Sequence, residues 1–232
     1  MSLAGQGAVA IWNDITDEGR AGFYAWHGRE HMPERVGIPG FLRGRRYVAV
    51  HGAPAYFTLY EADTPQTLTG QDYTTRLDQP TPWTLTAVRE FRNVARAICR
   101  VAASYGHAQG GLIATWRYDV PDALADRHSR ALELDVLPKL AAEPGIAGAH
   151  LLVADAAASA VETEERRRRG GDNLVPRWIL LVEGWGDAEA VDALCRERLS
   201  DVMLASLGAS GPAEYGLYQL QISRGKLPWS AG

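Results

Sequence analysis

The chain has 232 residues, of which 46% are hydrophobic and 22% charged, and a net charge of −4 at pH 7. This is the composition of a globular protein, and its weakly acidic balance argues against nucleic acid and anionic membranes as partners. Because the sequence has no long apolar run, no signal-peptide pattern and only two cysteines, in separate halves, we expect a soluble cytoplasmic protein.

Strand-length apolar runs alternate with longer amphipathic stretches in the first half of the chain. In chain order we predict a strand at 7–15, a helix at 17–36, strands at 42–50 and 55–62, a helix at 65–77 and a strand at 94–103. The first half therefore has the element order β-α-β-β-α-β.

The second half repeats this order. We predict a strand at 111–120, a helix at 121–142, strands at 147–154 and 176–185, a helix at 187–207 and a strand at 214–223. Pro33 recurs as Pro138, and the pair Pro39-Gly40 recurs as Pro144-Gly145, each 105 positions later. The chain is therefore predicted to be a tandem repeat, with 1–106 as the first copy and 107–232 as the second.

Each predicted repeat is ferredoxin-like, an antiparallel four-stranded sheet with two helices on one face. Such a sheet leaves its other face bare, and two bare faces in one chain are expected to pack together. The sequence thus predicts an α+β protein in which two tandem ferredoxin-like βαββαβ repeats pack as an internal pseudo-dimeric α+β barrel.

The second repeat carries a charged insertion at 155–175, where the first has a short turn. Its four consecutive arginines suggest phosphate binding, but Glu162, Glu164 and Glu165 nearly cancel their charge. We therefore expect this insertion to be a solvated, mobile loop.

One stretch of the first predicted helix contains His27, Glu30 and His31 in the order H-x-x-E-H, the spacing of one class of zinc peptidases. A third ligand would have to come from elsewhere, and Glu90 is the candidate on a nearby helical segment. Pro33 disfavours helical geometry at the residue before it, so the helix is expected to kink or end where a metal site needs rigidity. Zinc binding therefore remains an alternative, and our prediction includes no metal and no cofactor.

Comparison of the two repeats indicates where the histidines point. His27 corresponds to Leu132 and His31 to Val136, which belong to the apolar stripe that faces the sheet. Both imidazoles are therefore predicted to face inward, with Glu30 on the opposite side of the helix. Two interpretations stay open: a polar pocket for a ligand or for catalysis, or two buried histidines that only hydrogen-bond the sheet.

Polar side chains alternate along the two middle strands of the first repeat, Arg43, Arg45 and Tyr47 on one and Tyr56, Thr58 and Tyr60 on the other. If these sets face the helices, Arg45 and Tyr60 surround a cavity with the histidines, suited to an aromatic or carboxylated ligand. If they face the barrel, they form the interface between the halves. With Tyr24, on the inner side of the helix, Arg45 and Tyr60 are the predicted ligand-binding residues.

The pattern W-x4-H-x-P followed by P-G, seen as Trp26, His31, Pro33 and Pro39-Gly40, resembles the EthD-like branch of the dimeric α+β barrel superfamily. The resemblance implies a ferredoxin-like barrel that is often homo-oligomeric. The superfamily includes cofactor-free monooxygenases, polyketide cyclases, small dehydratases, isomerases and haem proteins. The EthD-like histidine carries over onto His31, and the second repeat has Val136 there, so any site is expected once per chain.

The leading hypothesis is a small-molecule enzyme without bound metal or cofactor, of monooxygenase, cyclase or dehydratase type. In it His31, helped by His27, moves a proton on an aromatic or polyketide-like substrate. The first alternative is a non-catalytic binding or assembly module. A further alternative is a zinc protein or a haem protein, since chlorite-dismutase-like proteins also join two such halves; their iron ligand lies in the second half, where His128 and His150 are available.

Two aromatic residues on the outer side of the first helix bear on assembly. Phe23 and Trp26 are expected to be exposed there, which indicates a contact with a second copy of the chain in a homodimer. A neighbouring loop packed over them would explain the same pattern.

Overall fold

The structure, a computed structural model, describes residues 2–170 and 174–226 and contains the predicted strands in the predicted order. The strands are β1 Gly7–Ile15, β2 Phe41–Gly52, β3 Tyr56–Ala62, β4 Phe91–Gly106, β5 Leu112–Asp119, β6 Ile146–Ala154, β7 Trp178–Gly184 and β8 Ser210–Gly225. Each boundary lies within a few residues of the apolar run that predicted it, except that β4 and β8 are longer.

The strands close into one barrel with the order β1-β3-β2-β8-β5-β7-β6-β4, and every neighbouring pair is antiparallel. The first repeat contributes the run β4-β1-β3-β2 and the second the equivalent run β8-β5-β7-β6. The two sheets join through β2 with β8 and through β4 with β6. This confirms the predicted fold, an α+β barrel built from two ferredoxin-like sheets; the repeat boundary at 106 stays a prediction.

Helices cover the outer surface of the barrel. They are α1 Arg20–Trp26, α2 Met32–Gly37, α3 Gln71–Asp78, α4 Pro82–Ala87, α5 Ala125–Ala131, α6 Leu137–Ala141, α7 Ala156–Ala160, α8 Glu164–Arg169, α9 Ala188–Arg198 and α10 Asp201–Ser206. Within the described ranges, no helix is long and apolar enough to cross a membrane.

The first helix of each repeat contains a widened turn at the same place. A π-helical turn, His27–His31, joins α1 to α2, and its counterpart, Leu132–Val136, joins α5 to α6. A proline follows each turn, and the wider turn accommodates a residue that has no amide hydrogen and whose ring excludes the carbonyl four positions earlier. The helix therefore continues through Pro33, where we expected a kink or an end.

Apolar side chains fill the space beneath the helices of the second repeat. Leu132, Leu137 and Leu140 pack there against Trp116 in one buried cluster. In the first repeat the position of Leu132 is taken by His27, so the equivalent space has a polar wall. The two repeats thus share a backbone and differ in what lies between helix and sheet.

Candidate functional site

A cavity of about 60 Å³ lies beneath the first helix of the first repeat. His27, His31 and Tyr60 line it, together with Phe23. The two histidines are 4% and 6% exposed, so both imidazoles point inward, as the comparison of the repeats predicted. The cavity is therefore a polar recess at a place that the second repeat fills with leucine.

His27 is held by two hydrogen bonds. Its Nδ1 lies 3.2 Å from a guanidinium nitrogen of Arg46, and its Nε2 lies 3.2 Å from the hydroxyl oxygen of Tyr60. Because arginine only donates, Nδ1 must accept, so Nε2 carries the proton and donates to Tyr60. Burial, with the nearby charge of Arg46, lowers the pKa of His27 to about 3. His27 is therefore a neutral imidazole with both nitrogens engaged.

His31 is buried to the same extent but is bonded differently. Its Nδ1 has no hydrogen-bond partner among the described residues and lies out of contact with solvent. The ring packs against the indole of Trp26, with centroids 4.3 Å apart. The pKa of His31 lies well below its usual value, mainly because the ring is buried and secondly because of the nearby positive charge of Arg35. At neutral pH His31 thus presents a neutral imidazole with an unused ring nitrogen.

Arg45 does not lie with the histidines. It is fully buried inside the barrel, where its guanidinium pairs with Glu61 at 3.0 Å and with Glu183 of the second repeat at 2.7 Å. The prediction that placed Arg45 on the cavity wall is therefore wrong. Arg45 forms part of the interface between the halves, which was the second possibility for this strand.

The neighbouring Arg46 takes the position expected of Arg45. It lies opposite Thr58 in the β2–β3 register, on the face that carries Tyr60, and it reaches His27. The strands thus turn Arg45 and Tyr60 to opposite faces of the sheet. Sequence reasoning missed Arg46, which the period of two would have placed on the helix face once Tyr60 was assigned to it.

Of the predicted ligand residues, Tyr60 lines the cavity and Tyr24 does not. The hydroxyl of Tyr24 bonds that of Tyr56 at 2.9 Å, and its ring lies beneath the guanidinium of Arg46, 4.9 Å from the ring centroid. Tyr24 therefore contacts the residue that holds His27, without itself reaching the space beside the imidazoles.

Phe23 and Trp26 are buried, which corrects the expectation that they form an exposed surface. They are 2% and 1% exposed. Helix α4 covers this side, and the indole nitrogen of Trp26 donates to the hydroxyl of Thr84 at 3.1 Å. The alternative of a neighbouring segment packed over the aromatic residues is the correct one, and these residues offer no surface for a homodimer.

The charged insertion also differs from its prediction. Instead of extending into solvent, its helices α7 and α8 fold back onto the first repeat, where Glu165 pairs with Arg35 at 2.5 Å. Thr163, Glu165, Arg166 and Arg169 line the cavity. The insertion looked balanced within itself, but part of its charge has its partner in the first repeat. Positions 171–173 of the insertion lie outside the described residues.

The H-x-x-E-H residues do not converge as a zinc site requires. The carboxylate of Glu30 accepts a hydrogen bond from Thr81 at 2.6 Å, away from the imidazoles, and Glu90 accepts one from Thr16. Both nitrogens of His27 are already bonded to protein groups. Across 2–170 and 174–226, no three histidine, cysteine, aspartate or glutamate side chains are grouped as metal ligands.

The histidines of the second repeat do not fit an iron ligand. His128 bonds the hydroxyl of Tyr118 at 2.9 Å and the carbonyl oxygen of Leu207 at 3.2 Å. His150 lies inside the barrel, 3.1 Å from the hydroxyl of Ser2 and 2.9 Å from that of Ser104. Each ring thus uses both nitrogens within the protein, which leaves neither histidine with a free nitrogen for an iron.

Comparison with known proteins gives the fold. No protein-family model and no curated protein matches this chain. Among solved structures, an anthrone oxidase-like protein matches with a TM-score of 0.66 at 12% identity, over 97% of this chain and 95% of that one. A proposed monooxygenase of Fusobacterium nucleatum matches with a TM-score of 0.58 at 10% identity, over 97% and 96%.

A proposed monooxygenase of Lactobacillus acidophilus matches with a TM-score of 0.56 at 12% identity, over 95% of this chain and 96% of that one. The matches extend over nearly the whole length of both partners. The chain therefore has the dimeric α+β barrel fold, with both halves of the barrel supplied by one polypeptide.

Proposed function

We propose that this protein is an enzyme that acts on a small aromatic or polyketide-like substrate, and that His31 accepts a proton from it. The observation that carries this proposal is the unused Nδ1 of His31, buried in the wall of a cavity. A buried polar atom without a partner costs stability, and such atoms persist where a ligand or a reaction uses them.

The surrounding residues support proton removal. A neutral imidazole can accept a proton, and His31 is neutral at pH 7 because its pKa is lowered. The same shift makes His31 a weaker base than an ordinary histidine, so proton transfer to it depends on the new negative charge of the substrate to stabilise the imidazolium. The charge of Arg35, which helps to lower that pKa, would stabilise the anion formed on the substrate when its proton leaves. His27, fixed by Arg46 and Tyr60, acts as a positioning residue for this wall of the cavity.

The anion formed on the substrate when its proton leaves indicates the class of reaction. Removal of a proton from an activated carbon gives a carbanion, which can react with dioxygen, and the similar structures include an anthrone oxidase-like protein and proposed monooxygenases. Cyclisation and dehydration begin with the same proton removal. We therefore favour a cofactor-independent oxygenase and regard cyclase or dehydratase chemistry as variants of one step.

The test is oxidation of anthrone to anthraquinone, followed by absorbance and by oxygen consumption. We expect the wild-type protein to exceed the uncatalysed rate and His31→Gln to lose about 100-fold or more of that excess, the usual contribution of a general base. His51→Gln, which changes an exposed histidine, is the matched control. A His31→Gln protein with full activity would contradict the assignment of His31.

One observation favours a second function, a non-catalytic binding module. His27 has both ring nitrogens bonded within the protein, so only one of the two predicted catalytic histidines is left for proton transfer. A protein that binds aromatic compounds tightly and turns none of them over would support this function instead.

We further propose a cytoplasmic homodimer. Cys99 and Cys195 are both free and buried, as expected in a reducing compartment. Because the barrel closes within one chain, a second copy would dock on the outside, where Leu134, Trp185 and Val202 expose 73%, 62% and 81% of their surface. Light scattering after size-exclusion chromatography measures the mass, and a monomer at all concentrations would contradict the dimer.

A further inference from the structure

The cavity wall carries more positive than negative charge. Of the described residues that line it, four are arginines and one is a glutamate, in the order Arg35, Arg96, Glu165, Arg166 and Arg169. The imidazoles of the wall are neutral and do not change this balance. A cavity with such a wall favours an anionic ligand over a neutral one of the same shape.

The arginines differ in their partners. Arg35 is 3% exposed and pairs with Glu165 at 2.5 Å and with Glu34 at 3.4 Å. Arg169 forms no ion pair with any described carboxylate, and its Nε is buried without a partner among the same residues. Burial, followed by repulsion from Arg96, lowers the pKa of Arg169 to about 10, which still leaves it charged at neutral pH. Within the part of the chain that the structure describes, the wall thus holds a cation that is not paired with a carboxylate.

The carboxylate that pairs with Arg35 comes from a short helix of the insertion. Glu165 lies in α8, a helix of six residues in the insertion of the second repeat, and its side chain is 18% exposed. An aromatic ligand exceeds the present cavity of about 60 Å³, so α8 or its side chains must shift to admit one. A shift that separates Glu165 from Arg35 leaves a buried guanidinium without its closest partner, which is costly unless the ligand supplies a negative charge.

We propose that the cavity binds an organic anion, a carboxylate or phenolate on an aromatic ring, whose charged group replaces Glu165 at Arg35 while Arg169 provides a second cationic contact. In this proposal the carboxylate of Glu165, which comes from the second repeat, occupies the position at Arg35 that the charged group of the ligand takes when it binds. This inference deepens the proposed function, on which it rests for the location of the site.

The experiment compares the affinity of the full chain for benzoate with its affinity for benzamide, a neutral molecule of the same shape, by calorimetry. We expect the wild-type protein to bind benzoate at least about tenfold more tightly than benzamide. This factor corresponds to the lower end of the free energy of a charge-assisted hydrogen bond. Glu165→Gln removes the competing carboxylate and should raise the ratio of the two affinities by a further factor of about ten. An opened cavity alone would tighten both compounds and leave the ratio unchanged.

Two neighbours on α8 serve as matched controls. Glu164 pairs with Arg167 and Arg168 at the surface, so Glu164→Gln changes the same net charge away from the cavity. Arg169→Gln should lower the ratio about tenfold, whereas Arg168→Gln should leave it within twofold. Thermal unfolding of each variant confirms that the comparison is made on folded protein.

Equal affinities of the wild-type protein for benzoate and benzamide, or no binding of either, would overturn the inference. So would a Glu164→Gln change as large as that of Glu165→Gln, because the effect would then be one of overall charge. His31→Gln separates this inference from the proposed function. If His31→Gln keeps full turnover and the protein still prefers benzoate, only the proton transfer is refuted. If His31→Gln loses turnover but the wild-type protein shows no preference for benzoate, only the anion-binding inference is refuted.

Discussion

His27 and His31 lie one turn apart, and the difference between them is one of hydrogen bonding. His27 has both nitrogens bonded, to Arg46 and Tyr60, and holds the wall of the cavity in place. His31 has a buried nitrogen without a partner among the described residues. Burial keeps both rings neutral at pH 7, so their roles follow from which nitrogen is left unused and not from their charge.

The lowered pKa of His27 predicts how stability depends on pH. The unfolded chain has a histidine of ordinary pKa near 6.5, and the folded protein has one of about 3. The unfolded state therefore binds the proton first, and the free energy of unfolding falls as pH decreases between these values, by about 1.4 kcal/mol per pH unit for this residue. When the free energy of unfolding is measured with urea at several pH values between 7 and 4, it should fall less steeply with decreasing pH for His27→Gln than for the wild-type protein.

The control for that measurement is His51→Gln, which changes a histidine on the surface. Equal slopes for the wild-type protein and His27→Gln would contradict the burial of His27 as a neutral group.

The identity of the arginine in the site could not be read from the sequence. Inward histidines follow from their repeat partners Leu132 and Val136, which is a comparison within the chain. Arg45 corresponds to His150 of the second repeat, so a polar residue recurs at that position, but this does not say which face it occupies. Both faces of the strand are buried, one beneath helices and one inside the barrel. Polarity then does not distinguish the faces, and the structure was needed to assign them.

At the scale of elements, the two π-helical turns show what belongs to the fold and what belongs to the site. Both repeats have the turn, before a proline, although one carries histidines and the other Leu132 and Val136. The turn is therefore a property of the fold. The site arises from the side chains placed on it, and from α8, which closes over the first repeat.

This contrast predicts the effect of a histidine in the wrong repeat. Leu132→His places an imidazole in a fully buried apolar cluster that offers the ring no counterpart of Arg46 or Tyr60. We expect it to lower the free energy of unfolding by about 2–5 kcal/mol. Leu134→His lies in the same turn with 73% of the residue exposed and should change it by less than about 0.5 kcal/mol. If urea unfolding shows a similar loss of unfolding free energy in both variants, the tight apolar packing around Leu132 is contradicted.

The fold of the insertion was beyond sequence reasoning for a related reason. Its arginines and glutamates nearly cancel within the segment, so local charge predicted a solvated loop. The contact that fixes it, Arg35 with Glu165, joins residues 130 positions apart. Local pattern does not report such a pairing.

At the scale of the whole molecule, a buried ionic cluster joins the two halves. Arg45 bridges Glu61 of the first repeat and Glu183 of the second, which are equivalent positions in β3 and β7. Burial alone would raise the pKa of Glu183, but the imidazole of His150, 3.5 Å away, and the charge of Arg45 outweigh it and lower the pKa to about 2. The repeated proline and glycine positions predicted two copies and a barrel, whereas this cluster depends on how the copies meet.

The cluster predicts that Arg45 contributes to stability and not to ligand binding. Arg45→Met leaves the buried carboxylate of Glu183 without its arginine, whereas Glu61 keeps its ion pair with Arg43, and should lower the free energy of unfolding by about 3–5 kcal/mol. The affinity of the folded variant for benzoate should stay within twofold of wild type, because Arg45 faces the barrel. Arg224→Met changes an exposed arginine on the adjacent strand as the control. If Arg45→Met loses affinity for benzoate without losing stability, Arg45 contributes to ligand binding and the prediction is wrong.

The most direct test of the account is the proton–nitrogen NMR spectrum of the histidine rings at pH 7, recorded with and without benzoate. We predict that His27 is neutral with its proton on Nε2 and that His31 is neutral. Addition of benzoate should shift the His31 ring nitrogens and leave those of His128 and His150 in place. A doubly protonated His31, or a His31 signal that does not respond to the ligand, would contradict the claim that this residue faces a binding cavity as a neutral base.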